Sequence, residues 1–138
     1  MLRAMSSRTK FLSRFIGLYE LIVALSMFAH KQDMLEAVTG LLHERPLLFL
    51  AGLITVALGL ALVLAHNVWS GGAPAVLVTL IGWIALIKGS LLMCLPPDAA
   101  EDLFLRQLRY EQFYYGYCAV ALILGIYLTG AGFLRAAR

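Results

Sequence analysis

The chain has 138 residues, of which 62% are hydrophobic and only 14% are charged. A soluble domain carries about 25% charged residues, and a small domain cannot bury so large an apolar excess in one water-exposed core. The composition therefore excludes an ordinary soluble domain and predicts an integral membrane protein. The formal net charge of +3 does not indicate nucleic-acid binding, because the basic residues cluster beside apolar segments, as topology signals do.

Four apolar segments are long enough to cross a bilayer as helices, which takes about 20 residues each. The first follows a basic N-terminal stretch typical of a signal peptide. However, it contains Glu20 and ends in Phe28-Ala29-His30-Lys31 without a small-x-small cleavage site, so we predict that it is retained. The predicted membrane helices are residues 11–30, 46–66, 74–95 and 112–134. They predict an all-α, polytopic four-helix bundle, with residues 1–138 as a single integral membrane domain.

Two acidic connections join the first helix to the second and the third to the fourth. In the first connection, residues 31–45, apolar side chains recur at helical spacing between acids, and Leu103–Leu108 repeats this pattern in the second, residues 98–111. Both patterns predict short amphipathic helices at the membrane interface. The connection between the second and third helices is uncharged and contains the turn residues Gly71 and Gly72.

Small residues at helical spacing predict close contacts between helices, because packing rather than water exclusion drives helix association in lipid. The predicted packing positions are Gly52, Gly59, Gly82, Gly89 and Gly125, and the alanines at 57, 61 and 65 form a second row of small residues.

The two halves of the chain resemble each other. Residues 15–22 match residues 80–87 at an offset of 65, and residues 56–58 match residues 120–122 at an offset of 64. Each half is then a helix, a connection and a helix, which predicts two parallel helix-hairpin repeats related by an axis along the membrane normal.

Glu20 and Lys88 are the ionisable residues set well inside the apolar segments. A lysine within a membrane helix costs about 2.5–3.5 kcal/mol on insertion scales unless it reaches water or a partner. The repeat places the two residues at similar depth, so we expect them to face the bundle interior and to be energetically coupled. Two alternatives remain open: a structural pair, or a lysine that reaches the interface beside a protonated Glu20.

Charge placement predicts the orientation. The two terminal stretches hold six of the eleven basic residues and no acids, whereas the two acidic connections hold four basic residues and seven of the eight acids. The positive-inside rule counts Lys and Arg, so we expect both termini in the cytoplasm.

The aromatic residues Tyr110, Tyr114, Tyr117 and Trp83 could contact a lipid or a quinone, although an interfacial aromatic belt is the common explanation for such residues. Cys94 and Cys118 fit neither a disulfide framework nor a zinc site. No residue spacing matches a metal site, and no catalytic arrangement or phosphate-binding loop is present in the sequence. We therefore predict no metal, no cofactor and no enzymatic activity.

One group of residues carries a family resemblance: His66-Asn67-x-Trp69, Thr79-Leu80-Ile81-Gly82-Trp83, Lys88-Gly89 and Pro96. This pattern resembles small four-helix bacterial inner-membrane proteins, and the layout is similar to that of DoxX-like proteins. The resemblance implies a four-helix fold and an inner-membrane location, and it implies no catalytic residues.

These features predict a non-catalytic accessory or self-associating inner-membrane protein. Its expected partners are the lipid bilayer and either a second copy or another membrane protein, and no nucleic acid. One alternative is a small oligomeric transporter or channel that uses Glu20 and Lys88. A second alternative is a lipid- or quinone-binding membrane subunit.

Overall fold

A computed structural model describes residues 6–134 of the chain. Over these residues it contains α1 (Ser7–Ala29), α2 (Lys31–His43), α3 (Arg45–Ala65), α4 (Ala73–Cys94), α5 (Pro97–Glu101), a π-helical turn (Asp102–Gln107) and α6 (Tyr114–Leu134). Helices α1, α3, α4 and α6 are long and apolar enough to cross a membrane, which confirms the predicted all-α fold with four spans. Arg3, Arg135 and Arg138, which contribute to the predicted charge asymmetry, lie outside the described residues.

Two spanning helices begin two or more residues away from their predicted starts. Helix α1 begins at Ser7, four residues before the predicted start, because the Ser6 hydroxyl accepts a hydrogen bond from the Thr9 amide and caps the helix at 3.2 Å. Helix α6 begins at Tyr114 rather than at residue 112, because residues 110–113 form a turn. The basic stretch before the first apolar run is therefore partly helical.

The four spanning helices form two close pairs, α1 with α6 and α3 with α4. The pairs meet through a much smaller contact between α1 and α4, so the order across the molecule is α6–α1–α4–α3. Helices α3 and α6, at the two ends of this order, share no extensive contact. Each pair thus combines one helix from each predicted half of the chain.

Glycines let the two helices of each pair come into direct backbone-to-backbone contact. A Cβ at Gly125 would lie 2.9 Å from the Leu21 amide nitrogen, and one at Gly89 would lie 2.6 Å from that of Val56. The other predicted packing glycines, Gly52, Gly59 and Gly82, are also buried and face the opposite helix of the α3–α4 pair. Side chains at these positions would separate the helices and remove the dispersion contacts that hold them together in lipid.

The contacts within the two pairs follow the predicted repeat. Leu21 faces Gly125 in one pair as Leu86 faces Gly59 in the other. Leu86 follows Leu21 by 65 residues, and Gly125 follows Gly59 by 66. The first helices of the two halves therefore correspond at the predicted offset, whereas the second helices correspond at 66 residues and not at the predicted 64.

A polar contact repeats with the same spacing. Arg14 Nε donates a hydrogen bond to the Gly132 carbonyl at 2.9 Å. At the equivalent place in the other pair, Thr79 Oγ1 lies within donating distance of the His66 carbonyl, at 3.2 Å. Different side chains thus fasten the same two helix ends in each half.

The four spanning helices converge at the end of the bundle where α1 and α4 begin, which we call the terminal end. Buried Ile16, Val78 and Leu128 pack there with flanking leucine and isoleucine side chains, so that all four helices contribute to one cluster. We call this group the axis cluster, because it lies where the two pairs meet and six of its seven members are equivalent under the repeat. It closes the bundle at the terminal end.

At the opposite end, the connector end, two separate clusters replace the single one. One cluster contains Leu48 and Leu92 of the α3–α4 pair, and the other contains Met27 and Tyr114 of the α1–α6 pair. Helix α2 contributes to both, since Leu42 is buried in the first cluster and residues 34–35 pack against the second. Helix α2 therefore bridges the two pairs, and its predicted amphipathic character is confirmed.

The second connector is helical, as predicted, but it is not a single α-helix. After five α-helical residues the chain continues as a π-helical turn, in which the Leu108 amide donates to the Leu103 carbonyl at 3.0 Å. Phe104 and Leu105 pack against the α3–α4 cluster. The wider π-turn accommodates these side chains without extending the helix.

Thr79 organises the tight turn between α3 and α4. Its hydroxyl accepts from the Val68 amide at 3.1 Å and lies within donating distance of the Val68 and Ala75 carbonyls. Gly71 and Gly72 have φ values of 106° and 110°, a conformation that favours glycine. The residues that carry the family resemblance around His66 and Thr79 thus have a structural role in this turn.

We expect Gly125→Ala to destabilise the protein by about 1–3 kcal/mol, because the added methyl group would press on the backbone of α1. Gly116→Ala in the same helix is the matched control, since a Cβ there meets nothing within 4 Å. The control should be neutral or stabilising by about 0.5–1 kcal/mol, because glycine weakens a helix. Thermal unfolding in detergent measures both effects, and equal stability of the two variants would contradict the close α1–α6 contact.

Candidate functional site

Glu20 lies on the face of α1 that packs against the rest of the protein. It is one turn beyond Ile16 of the axis cluster and one turn before the buried Ala24, and it is itself half-buried. The opposite face of α1 carries the exposed residues Leu18, Ile22 and Leu25. The carboxyl group is therefore held between the axis cluster and the connector end.

Lys88, which we predicted to face the bundle interior, is exposed rather than buried. It lies seven residues after Ile81 and so on the same side of α4 as the residues that contact α1 in the axis cluster. Beyond that cluster the contact between α1 and α4 is small. Lys88 is exposed because neighbouring side chains no longer cover this side of the helix.

Glu20 and Lys88 do not form a direct ion pair. Within residues 6–134 the side-chain ion pairs of 4.0 Å or less are His43–Glu101 and Arg106–Asp102. Lys88 nevertheless lies within Coulombic range of Glu20. It is six residues from the end of α4 at Cys94, or about 9 Å, and a lysine stem can carry its ammonium group most of that distance toward the interface.

A polar contact joins the two connectors at the connector end of the bundle. His43 Nε2 lies 3.2 Å from Glu101 Oε2, and His43 Nδ1 lies 2.7 Å from the Thr39 carbonyl oxygen. With an acceptor facing each ring nitrogen, both nitrogens donate when the imidazole is protonated. The contact links α2 to α5 and adds to the bridge that α2 makes between the helix pairs.

The predicted tyrosine group forms a cluster at the connector end. The Tyr110 ring stacks on Tyr117 at 5.4 Å and meets Tyr114 edge-on at 5.9 Å. Tyr114 is fully buried and donates from its hydroxyl to the Met27 carbonyl at 2.7 Å, while Tyr117 donates to the Leu108 carbonyl at 3.1 Å. These two hydrogen bonds hold the end of α1 and the second connector in place. The Tyr114 and Tyr117 hydroxyls therefore already donate within the protein.

The remaining aromatic and sulfur side chains divide between the core and the surface. Trp83 is on the exposed side of α4 and does not join the tyrosine cluster. Cys118 is buried beside Tyr114, and Cys94 is exposed. Burial raises the pKa of the Tyr110 phenol, and neighbouring Cys118 and Tyr117 act in the same direction. Tyr110 is therefore uncharged at neutral pH.

The structure also brings together residues that the sequence pattern did not group. A cavity of about 510 Å³ lies between α2 and the second connector, and its lining includes Glu36, Glu44, Glu111 and His43. The acids were visible in the sequence as features of two separate connectors. Their grouping depends on the position of α2 across the helix pairs, which the hydrophobic pattern does not specify.

We expect a weak energetic coupling between Glu20 and Lys88, because their charges interact without direct contact. A double-mutant cycle with Glu20→Gln and Lys88→Met should give a coupling energy below about 1 kcal/mol, well under the about 3–5 kcal/mol lost when one partner of a buried ion pair is removed. Thermal stability in detergent provides the measurement. A coupling of several kcal/mol would mean that the two side chains meet directly.

Tyr114→Phe should destabilise the protein by about 0.5–1.5 kcal/mol, because it removes a buried hydrogen bond to the last turn of α1. Tyr115→Phe is the matched control, since the Tyr115 ring is exposed and its hydroxyl makes no hydrogen bond within the described residues. Chemical or thermal unfolding would distinguish the two. Equal losses would contradict a specific role for the Tyr114 hydroxyl.

Comparison with protein-family models, curated proteins and solved structures gives no match for this chain. The resemblance to DoxX-like proteins therefore stays a prediction. Function has to be inferred from the geometry of the molecule alone.

Proposed function

We propose that this is a non-catalytic protein of the bacterial inner membrane that self-associates in the plane of the membrane, alone or as an accessory to another membrane protein. The outer face of α3 carries the proposal. Helix α3 packs on one spanning neighbour, α4, through its buried glycines, and its other side is exposed along its length. Such a helix has a second face available for another membrane chain.

The exposed face of α3 contains small residues where a second helix would approach. Ala57, Ala61 and Ala65 are exposed and recur every four residues, on the side away from buried Gly59. Small residues at this spacing lower the closest distance between two helix axes and allow backbone-level packing in lipid. The buried glycines are already used inside the pairs, whereas this row is exposed and available for an intermolecular contact.

The orientation that we propose places both termini in the cytoplasm. Support comes from the excess of Lys and Arg in the terminal stretches over the two acidic connections. In this orientation α2, α5 and the π-turn lie on the periplasmic side. Glu20 and Lys88 are then nearer to the periplasmic ends of their helices than to the cytoplasmic ends.

A transport role is the second candidate, and one observation favours it. Glu20 and Lys88 lie between the axis cluster and the connector end, on the two helices through which the pairs meet. Ionisable residues inside membrane spans are common in ion and proton pathways. This candidate requires Glu20→Gln to abolish ion or proton flux in proteoliposomes while the protein stays folded.

Self-association should depend on the alanine row of α3. We expect Ala61→Leu to lower the dimer fraction at least tenfold, because the larger side chain would separate the facing helices. Ala119→Leu is the matched control, since Ala119 is equally exposed but lies on α6. Fluorescence energy transfer between labelled copies in liposomes reports the dimer fraction. Transfer that is absent in the wild type, or unchanged in Ala61→Leu, would contradict self-association through α3.

A further inference from the structure

A second pocket, of about 460 Å³, opens beside the α1–α6 pair at the connector end. Its lining residues are Lys31, Leu105, Arg109, Glu111 and Gln112. The volume lies in the range of about 300–1,000 Å³ that is usual for small-molecule sites. We call it the headgroup pocket, and it is distinct from the region of Glu20 and Lys88.

The charged side chains of the headgroup pocket have no partners of opposite charge within the part of the chain that the structure describes. Neither Lys31 nor Arg109 lies within 4.0 Å of a carboxylate, and Glu111 lies within 4.0 Å of no basic group. Arg106, nearby in the same connector, does pair with Asp102, at 3.6 Å. Two cations and one anion thus converge on a single cavity without neutralising one another.

The position of the pocket is that of a lipid headgroup. Lys31 comes two residues after the end of α1, and Gln112 lies two residues before α6 begins. Both helices are long and apolar enough to span a membrane, so the pocket lies where the apolar faces of this pair meet the polar interface. The phosphate groups of lipids lie at this same polar interface of the membrane.

Aromatic rings continue the site toward the membrane. The Lys31 ammonium lies 4.8 Å from the centre of the Tyr115 ring, and this ring contacts Phe28 at 5.9 Å. Both rings are more than half exposed, with Phe28 at 52% and Tyr115 at 54%. They form an apolar surface directly next to the cation, and this surface suits an acyl chain.

We propose that the headgroup pocket binds a glycerophospholipid whose headgroup carries both a phosphodiester and a primary ammonium group, the phosphoethanolamine class. Lys31 and Arg109 contact the phosphodiester, whose single negative charge matches donors of this kind. Glu111 accepts from the ammonium group, and its carboxylate excludes headgroups that carry a further negative charge. The acyl chain extends along Tyr115 and Phe28.

This assignment uses every charged residue of the lining. A purely anionic ligand would place a negative charge next to the Glu111 carboxylate. A purely cationic ligand would place a positive charge next to Lys31 and Arg109. The proposal does not depend on self-association, because the pocket lies on the α1–α6 pair and the alanine row lies on α3. A monomeric protein would bind the lipid equally well.

Lipid retention tests the proposal on the full chain. The delipidated protein would be titrated in detergent with dioleoyl lipids that carry ethanolamine, glycerol or choline headgroups, and bound lipid would be counted by native mass spectrometry. We expect the ethanolamine lipid to bind at least tenfold more tightly than the other two. Equal retention of the three lipids by the wild type would overturn the proposal.

Variants separate the roles of the charged residues. The double variant Lys31→Gln with Arg109→Gln should lose at least tenfold in affinity for the ethanolamine lipid, and Glu111→Gln should erase the preference for ethanolamine over glycerol. Arg106→Gln is the matched control and should change neither. An equal loss in Arg106→Gln, or a preference that survives in Glu111→Gln, would overturn the assignment.

A soluble competitor distinguishes a lipid from a free metabolite with the same headgroup. Glycerophosphoethanolamine, which keeps the phosphodiester and the ammonium group but has no acyl chains, should displace less than half of the lipid at 100-fold excess, because it makes no contact with Tyr115 and Phe28. Full displacement would show that the pocket recognises the free headgroup, and the lipid proposal would then fail.

Discussion

Close contact between helix backbones is the constraint on which this protein depends. Lipid tails are as apolar as leucine side chains, so exclusion from water supplies no force between the spanning helices. The α1–α6 and α3–α4 pairs instead rely on positions such as Gly125 and Gly89, where the facing backbone leaves no room for a Cβ. The connection between the pairs is smaller, and it is supplied by the axis cluster at one end and by α2 at the other.

The sequence predicted those features that depend on the bilayer itself. A span must be long, apolar and helical, so the four helices and the amphipathic α2 followed from composition and periodicity. The N-terminal extension of α1 was missed because it depends on one hydroxyl cap at Ser6. The exposure of Lys88 was missed because it depends on how far the α1–α4 contact extends, and the hydrophobic pattern within α4 carries no such information.

The candidate site residues are positions at which the two halves of the chain differ. Under the repeat, Glu20 corresponds to Ala85 and Lys88 corresponds to Val23. Positions that pack in the core mostly carry the same residue type in both halves. Leu12 corresponds to Leu77 and Ile16 to Ile81, and all four lie in the axis cluster. A charge that appears in only one half is not required by the packing that both halves share. This difference separates residues that build the scaffold from residues that are candidates for function.

The same difference between halves accounts for the two cavities at the connector end. At the terminal end the axis cluster buries its side chains among all four helices, and Thr79 hydrogen-bonds backbone groups of the turn between α3 and α4. At the connector end the first half supplies a 13-residue α-helix, and the second supplies a short α-helix and a π-turn. Two unlike connectors cannot cover the helix pairs in the same way, and they leave the two cavities with their unpaired charges between them. A repeated hairpin gives a symmetric scaffold, and the difference between its two connectors adds cavities that the scaffold alone does not contain.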